Sequence, residues 1–162
     1  MTDHFRKSFF AWLPYLLLVI VFLIELFVIL KYNNGVFVYS LDDPYIHLRL
    51  AQNILKGTYG INLGEPASPS SSILWPFLLV PFVLLGIEQF APLAINLIIS
   101  LGIIAVSGYL FGMILGDDLK DRPGVKAFLV IVILLAMNII GLIFTGMEHV
   151  LQILLGLILL AG

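Results

Sequence analysis

The chain has 162 residues, of which 61% are apolar or aromatic, and only 8 Lys+Arg and 10 Asp+Glu carry a formal charge. Soluble domains average about half apolar and about a quarter charged residues. The composition, with a mean hydropathy of +1.12, therefore excludes a soluble globular domain, a disordered chain and a nucleic-acid-binding protein. The absence of cysteine excludes disulfides and thiolate sites. These features predict an all-α, polytopic transmembrane protein.

Apolar runs of about 20 residues mark helices that span a membrane. The first run is interrupted only by Pro14 and Glu25, and no small-residue cleavage site follows it, which favours an uncleaved signal-anchor helix. The last run is short, and we expect it to be the start of a further helix that is cut off. The runs predicted to form or begin spans are residues 9–30, 92–115, 127–144 and 150–162.

The apolar segment 73–87 decides the predicted topology. It is short and contains Pro76 and Pro81, so it is either a crossing helix or a re-entrant or interfacial one. Basic residues prefer the cytoplasmic side. If the segment does not cross, the N-terminus and the charged turn 116–126 are both cytoplasmic, and the loop 31–72 is extracytoplasmic. We favour this arrangement, and with it a multi-pass protein of the bacterial cytoplasmic membrane.

The loop 31–72 is predicted to contain an interfacial helix over residues 44–56. Asp43 is expected to be its N-cap, Pro44 fits its first position and Gly57 its C-cap. The rest of the helix is amphipathic, as expected for a segment that lies on a membrane surface. On a helical wheel, one polar arc contains Arg49, Gln52, Asn53 and Lys56, and His47 falls within the opposite, apolar side.

Two adjacent carboxylates, Asp42 and Asp43, precede this helix. One capping residue is enough for a helix, so the pair raises a functional question. A carboxylate at this point can deprotonate an acceptor hydroxyl as a general base, or it can hold a divalent cation such as Mg²⁺ or Mn²⁺ against a phosphate. Solvation of an exposed helix end is the alternative interpretation.

Other polar residues are candidates for substrate binding. Arg49 is either a phosphate contact or a snorkelling cation, and His47 is either a ligand-binding or a packed histidine. Glu148 and His149 lie in the polar break 145–149 between two apolar runs, where ionisable side chains are costly and often functional. A simple turn between helices is the alternative. In the favoured topology this break faces the same side as Asp42 and Asp43.

The loop and the polar break resemble motifs of the GT-C superfamily of membrane glycosyltransferases, in particular its bacterial arabinofuranosyl- and mannosyltransferase-like members. Pro44 stands where that family usually has Ala, and His149 where Thr is common. Within the polar break, the matching residues are Thr145, Gly146 and Glu148. Those in the first loop and its exit are Asp42, Asp43, Tyr45, Ile46, Arg49, Ala51, Asn53, Gly57, Gly60, Asn62, Gly64, Glu65, Ser72, Leu74 and Trp75.

The resemblance implies that this chain corresponds to the N-terminal part of such an enzyme. It implies transfer of a sugar from a polyprenyl-phosphate-linked donor to an extracytoplasmic acceptor, with Asp42 as the general base and Asp43 supporting it or helping to bind a cation. Tyr45, His47, Arg49, Glu148 and His149 would then contact substrate. The implied partners are the lipid-linked donor, membrane lipids and a downstream polypeptide that completes the helix bundle.

Two other functions stay open at this point. A small membrane subunit or remnant could bind the lipid-linked substrate or a partner protein without turnover. A transporter would require charged residues deep in the spans or paired broken helices in two repeats. The sequence has no internal repeat, and only Glu25 lies within a span, which disfavours a transporter.

Overall fold

The structure, a computed structural model, describes residues 3–162, except for the side chain of Asp117. Within these residues all regular structure is helical, in agreement with the predicted all-α class. A 3₁₀ turn, Glu88–Phe90, leads into α4. The helices are α1 (Asp3–Tyr32), α2 (Asp43–Ile54), α3 (Leu74–Leu84), α4 (Ala91–Ile114), α5 (Gly116–Leu119), α6 (Pro123–Ala136), α7 (Ile139–Thr145) and α8 (His149–Ala161).

Two helical segments, Asp3–Tyr32 and Glu88–Ile114, are long and apolar enough to cross a membrane. At 1.5 Å per residue, the 30 residues of α1 extend about 45 Å, which exceeds the roughly 30 Å hydrocarbon core of a bilayer. By the same measure the 11 residues of α3 extend only about 16 Å. The chain is therefore a membrane protein by the length and composition of its helices.

The predicted span over residues 127–144 is not one continuous helix. The axes of α6 and α7 differ by 45° across a short break. Asn138 lies in this break with a φ of 49°, in the left-handed region that asparagine tolerates better than most residues. The backbone N–H of Asn138 donates to the Leu135 carbonyl, which ends α6 before α7 begins. Together the pair is apolar enough to form a third, broken span.

The chain forms two compact units, which are described separately. The helical unit comprises residues 3–38, Ile99–Gly141 and Val150–Gly162, and the loop unit comprises Tyr39–Ile98 and Leu142–His149. In the helical unit α1 packs against α6. Lys7 lies 3.7 Å from Asp121, and the ring of Phe10 packs over Gly124. The start of α1 and the turn before α6 therefore lie at the same end of this unit.

In the loop unit α2 packs against α3, and Trp75, Leu79 and Leu50 are fully buried. The buried side of α2 differs from the predicted apolar side, because Asn53 is fully buried while Leu55 is exposed. Asn53 donates hydrogen bonds from Nδ2 to the carbonyls of Gly60 and Ile61, both at 2.8 Å. The amide thus holds the loop that follows α2, which explains why a polar side chain is buried here.

Both ends of α3 lie against the same loop. Tyr39, which precedes α2, donates from its hydroxyl to the carbonyl of Gln89 at 2.9 Å and accepts from the backbone N–H of Leu93 at 3.2 Å. Before α3, Ser70 contacts His47 of α2. The segments that precede and follow α3 therefore both contact the part of the chain that contains Tyr39 and α2.

Candidate functional site

The carboxylates Asp42 and Asp43 lie at the start of α2, and both are exposed. The prediction that Asp43 caps the helix is wrong. Asp42 occupies the N-cap, its side chain makes no capping hydrogen bond, and Asp43 is the first helical residue. The carbonyl of Asp42 accepts the N–H of Tyr45, and Pro44 has no N–H to offer, so little is left for a side-chain cap. Neither carboxylate is consumed by the helix end.

Asp43 and His47 are four residues apart on α2 and so lie on one face of it. His47 is 1% exposed, and its Nδ1 lies 3.0 Å from the hydroxyl oxygen of Ser70. That hydroxyl donates to the carbonyl of Ser72 at 2.6 Å. Since its one hydrogen is used there, the Ser70 hydroxyl must accept from His47, which assigns the hydrogen to Nδ1.

Nε2 of His47 then faces Oε2 of Glu148 at 3.5 Å. Glu148 is 2% exposed, and its other oxygen, Oε1, accepts a hydrogen bond from Ser71 at 2.8 Å. Nε2 and Oε2 are both buried without a hydrogen-bond partner among the described residues. Two buried acceptors that face each other are unfavourable until a hydrogen is placed between them.

The environment of His47 decides whether it supplies that hydrogen itself. Burial lowers the pKa of His47, and the nearby carboxylates of Glu148 and Asp43 raise it without cancelling the effect of burial. The imidazole is therefore neutral at pH 7, and its contact with Glu148 is not an ion pair. The pair is suited to accept one hydrogen, either a proton or the hydrogen of a hydroxyl group.

The polar break after α7 is held in place by backbone contacts. Nε1–H of Trp75 donates to the carbonyl of Gly146 at 3.2 Å, and Nδ2 of Asn96 donates to the carbonyl of Met147 at 2.9 Å. Gly146 has a φ of +71°, and a Cβ there would lie 2.6 Å from the ring of Tyr39. Only glycine fits this position, and the turn directs Glu148 toward α2.

The remaining predicted site residues lie at different depths. Tyr45 accepts the backbone N–H of Tyr39 on its hydroxyl at 2.9 Å, which makes it part of the loop scaffold. Arg49 is exposed, with Nε donating to the Ile61 carbonyl at 3.3 Å. His149 is exposed and begins α8. Thus the structure brings His47 and Glu148 together, with Asp43 close enough to influence His47, and leaves Arg49 and His149 at the surface.

The predicted cation site at Asp42 and Asp43 can be compared with the ligands that Mg²⁺ and Mn²⁺ use. Among the described residues no group of three or more His, Asp or Glu side chains is arranged to hold a metal ion. Mg²⁺ is often bound by one or two carboxylates together with substrate phosphates. The two aspartates fit only that mode, in which the substrate supplies the remaining oxygen ligands.

Comparison of the chain with protein-family models, with curated proteins and with solved structures found no match.

Several residues of this site were not singled out by sequence reasoning. Ser70 and Ser71 contact His47 and Glu148, yet they lie in a Ser- and Pro-rich stretch that equally resembles a slack linker. Asn96 is buried near the start of α4. The sequence contained an indication of this, because an amide within an otherwise apolar run requires a hydrogen-bond partner.

Proposed function

We propose that the loop unit is the acceptor and donor-phosphate site of a membrane glycosyltransferase. The donor is a sugar linked to polyprenyl phosphate. The loop unit has features that suit such a substrate: two exposed carboxylates at a helix start, a buried pair of acceptors below them, and membrane-spanning helices adjoining in the sequence. The GT-C resemblance supports the same function.

The single observation that carries the proposal is the contact between His47 and Glu148, with Ser70 and Ser71 beside them. These residues belong to three separate stretches that contain the family-like motifs. Buried polar atoms normally have hydrogen-bond partners, so two facing acceptors without one suggest that these stretches share a function. A buried histidine whose pKa is lowered, as that of His47 is, is found more often at functional sites than elsewhere.

The proposed chemistry uses each group once. The carboxylate of Asp42 removes the proton from an acceptor hydroxyl, whose oxygen attacks the anomeric carbon of the sugar. The bond from that carbon to the phosphate oxygen breaks, and polyprenyl phosphate leaves with the electron pair. The negative charge of Asp43 favours a hydrogen on His47. The pair of His47 and Glu148 accepts the hydrogen of a sugar hydroxyl. Arg49 is the cation that is available to the donor phosphate.

The proposed topology keeps the loop and the polar break outside the cytoplasm. It is supported by the contacts of Tyr39 with both Gln89 and Leu93, since a crossing α3 would separate the loop from the start of α4. The contact of Lys7 with Asp121 supports placing the N-terminus and the turn on one side. We also propose that α2 lies at the membrane interface, where it packs against α3.

The topology can be tested because the chain contains no cysteine. We expect Ser68→Cys to react with an impermeant maleimide from outside intact cells, and Lys120→Cys to react only after permeabilisation. Labelling of Lys120→Cys from outside would contradict the proposed arrangement, and with it the placement of the polar break beside the loop outside the cytoplasm.

The function is tested with membranes that contain the chain and a radiolabelled polyprenyl-phosphate-linked arabinose or mannose. We expect Asp42→Asn to lower transfer by about 10²-fold or more, the usual contribution of a general base, while donor binding and membrane insertion are retained. Asp118→Asn, which removes an exposed carboxylate of the α5 turn, is the matched control. Undiminished transfer by Asp42→Asn would remove Asp42 from this role. Binding of the donor without any transfer would favour the non-catalytic subunit.

A further inference from the structure

The helical unit contains a cavity of about 560 Å³ that the proposed function does not use. It is lined by residues of the first four turns of α1, the second half of α4, residues 116–120 and the first eight residues of α6. This volume is in the usual range for sites that bind small molecules. Its charged lining residues are basic, whereas the candidate site in the loop unit contains carboxylates.

The charged residues of the cavity lining are Lys7, Lys120 and Lys126, and no carboxylate lines it among the described residues. Lys7 is offset by Asp3 at 2.9 Å and by Asp121 at 3.7 Å. Within the described part of the chain, no such ion pair involves Lys120 or Lys126. The charged side chains that line the cavity are thus all basic, and Lys120 and Lys126 have no described ion pair that would compete with a bound anion.

The wall beneath Lys126 is formed by glycines. If residue 112 had a Cβ, it would lie 3.2 Å from Nζ of Lys126, and at Gly108 it would lie 3.8 Å from Cε. The absence of side chains at these positions lets the lysine lie along α4. Its stem covers apolar surface while its ammonium group stays within the cavity.

The rest of the lining is apolar or amphipathic. Apolar residues of α1 and α4 line it, and two aromatic rings with polar ends, Tyr15 and Tyr109, are also part of the lining. The apolar residues are Phe10, Ala11, Pro14, Ile104 and Ala105. A small hydrophilic anion would leave these walls without contacts. A molecule with an anionic head and a hydrocarbon chain would satisfy both the lysines and the walls.

We propose that this cavity binds an anionic glycerophospholipid, with its phosphate between Lys120 and Lys126 and one acyl chain against α1 and α4. Basic pockets between transmembrane helices bind lipid head groups in this way. The proposal is independent of sugar transfer, because it concerns the other unit of the chain. It predicts that the chain selects lipids by head-group charge.

The test is native mass spectrometry of the purified full chain in detergent, with equal amounts of phosphatidylglycerol and phosphatidylcholine. A lysine near an anionic lipid contributes about 1 kcal/mol, or about fivefold in affinity. We therefore expect phosphatidylglycerol to be retained over phosphatidylcholine by about 25-fold. Lys120→Gln and Lys126→Gln should each reduce this ratio by about fivefold, and Lys7→Gln by less because its charge is already offset.

Lys31→Gln and Lys56→Gln are matched controls, since they remove exposed positive charges outside the cavity lining, and they should leave the ratio unchanged. Gly112→Leu should lower the retention of phosphatidylglycerol by filling the cavity, without removing a charge. An equal effect of Lys31→Gln and Lys126→Gln would overturn the proposal. So would displacement of the lipid by excess inorganic phosphate, which would indicate a site for the free anion.

Discussion

The helical unit and the loop unit place their apolar and polar side chains in opposite ways. In the 18-residue apolar window of α1 only 17% of the residues are buried within the protein, and Phe27 is 66% exposed. In the loop unit Trp75 and Leu50 are fully buried, and so are Asn53 and Asn96. The helical unit has an apolar surface that lipid can cover. The loop unit has its own buried core, which is stabilised by hydrogen bonds from side chains to the backbone.

This difference locates where substitutions should matter. In a membrane, the exposed side chains of α1 would be covered by lipid tails, which are as apolar as they are. In the loop unit each buried amide or carboxylate satisfies a specific partner, and removing it leaves the partner unpaired. The stability of the loop unit should therefore depend on a few polar residues and one glycine.

The largest effect is expected at Gly146. Gly146→Ala should lower the free energy of unfolding in two ways. The left-handed backbone costs about 1–2 kcal/mol for a residue with a Cβ, and the clash with Tyr39 costs about 1–3 kcal/mol. Gly57 has a similar φ of +79° but open space around it, so Gly57→Ala has only the backbone cost. Thermal unfolding followed by Trp75 fluorescence in a Trp12→Phe background separates the two. Equal midpoints for both variants would show that Tyr39 does not pack on Gly146.

The next largest effect is expected at Asn53. Asn53→Ala leaves the Gly60 carbonyl without its donor and the Ile61 carbonyl with only the longer hydrogen bond from Arg49, at a cost of about 1–3 kcal/mol. Gln52, its neighbour on the more exposed side, makes only longer hydrogen bonds to Glu88 and Arg49, at 3.4–3.5 Å. We expect Gln52→Ala to cost about 0.5 kcal/mol or less. If the two variants unfold at the same temperature, the buried amide does not hold the loop.

A smaller effect is expected from pH. Because burial lowers the pKa of His47 in the folded state, the unfolded chain binds more protons below about pH 6.5, and stability falls as the pH is lowered through that range. Unfolding midpoints measured from pH 8 to pH 5 should decline. The decline should be shallower in His47→Asn. A slope that is identical in both proteins would assign the pH dependence to other groups.

The sequence predicted the features that depend on composition and periodicity. The all-α class and the membrane-crossing character of α1 and α4 follow from long apolar runs. Gly57 does adopt a left-handed conformation, but the prediction that it is the C-cap of a helix over residues 44–56 is wrong, because α2 ends at Ile54 and Leu55 is its C-cap. The break at Asn138 was not predicted, because hydropathy does not distinguish a straight helix from a bent one. The burial of Asn53 was not predicted either, since a helical wheel does not show carbonyl groups that arrive from the following loop.

The site was predictable only in outline. His47 stood out as a polar residue on an apolar face, and Glu148 as a charge between apolar runs. Their contact depends on the turn at Gly146 and on the entry into α3 at Ser70 and Ser71, which are tertiary features. Asp42 and Asp43 could be located at the helix start, but which of them is the N-cap depends on local backbone angles.

The most direct measurement of the central claim is binding of a polyprenyl-phosphate-linked sugar, followed by Trp75 fluorescence in the Trp12→Phe chain. We expect saturable binding that Glu148→Gln weakens by at least tenfold, while its unfolding midpoint stays the same or rises, because the new amide can donate to Nε2 of His47. Asp118→Asn, at an exposed carboxylate of the α5 turn, should bind normally. Equal binding by Glu148→Gln and the unmodified chain would contradict the proposed site.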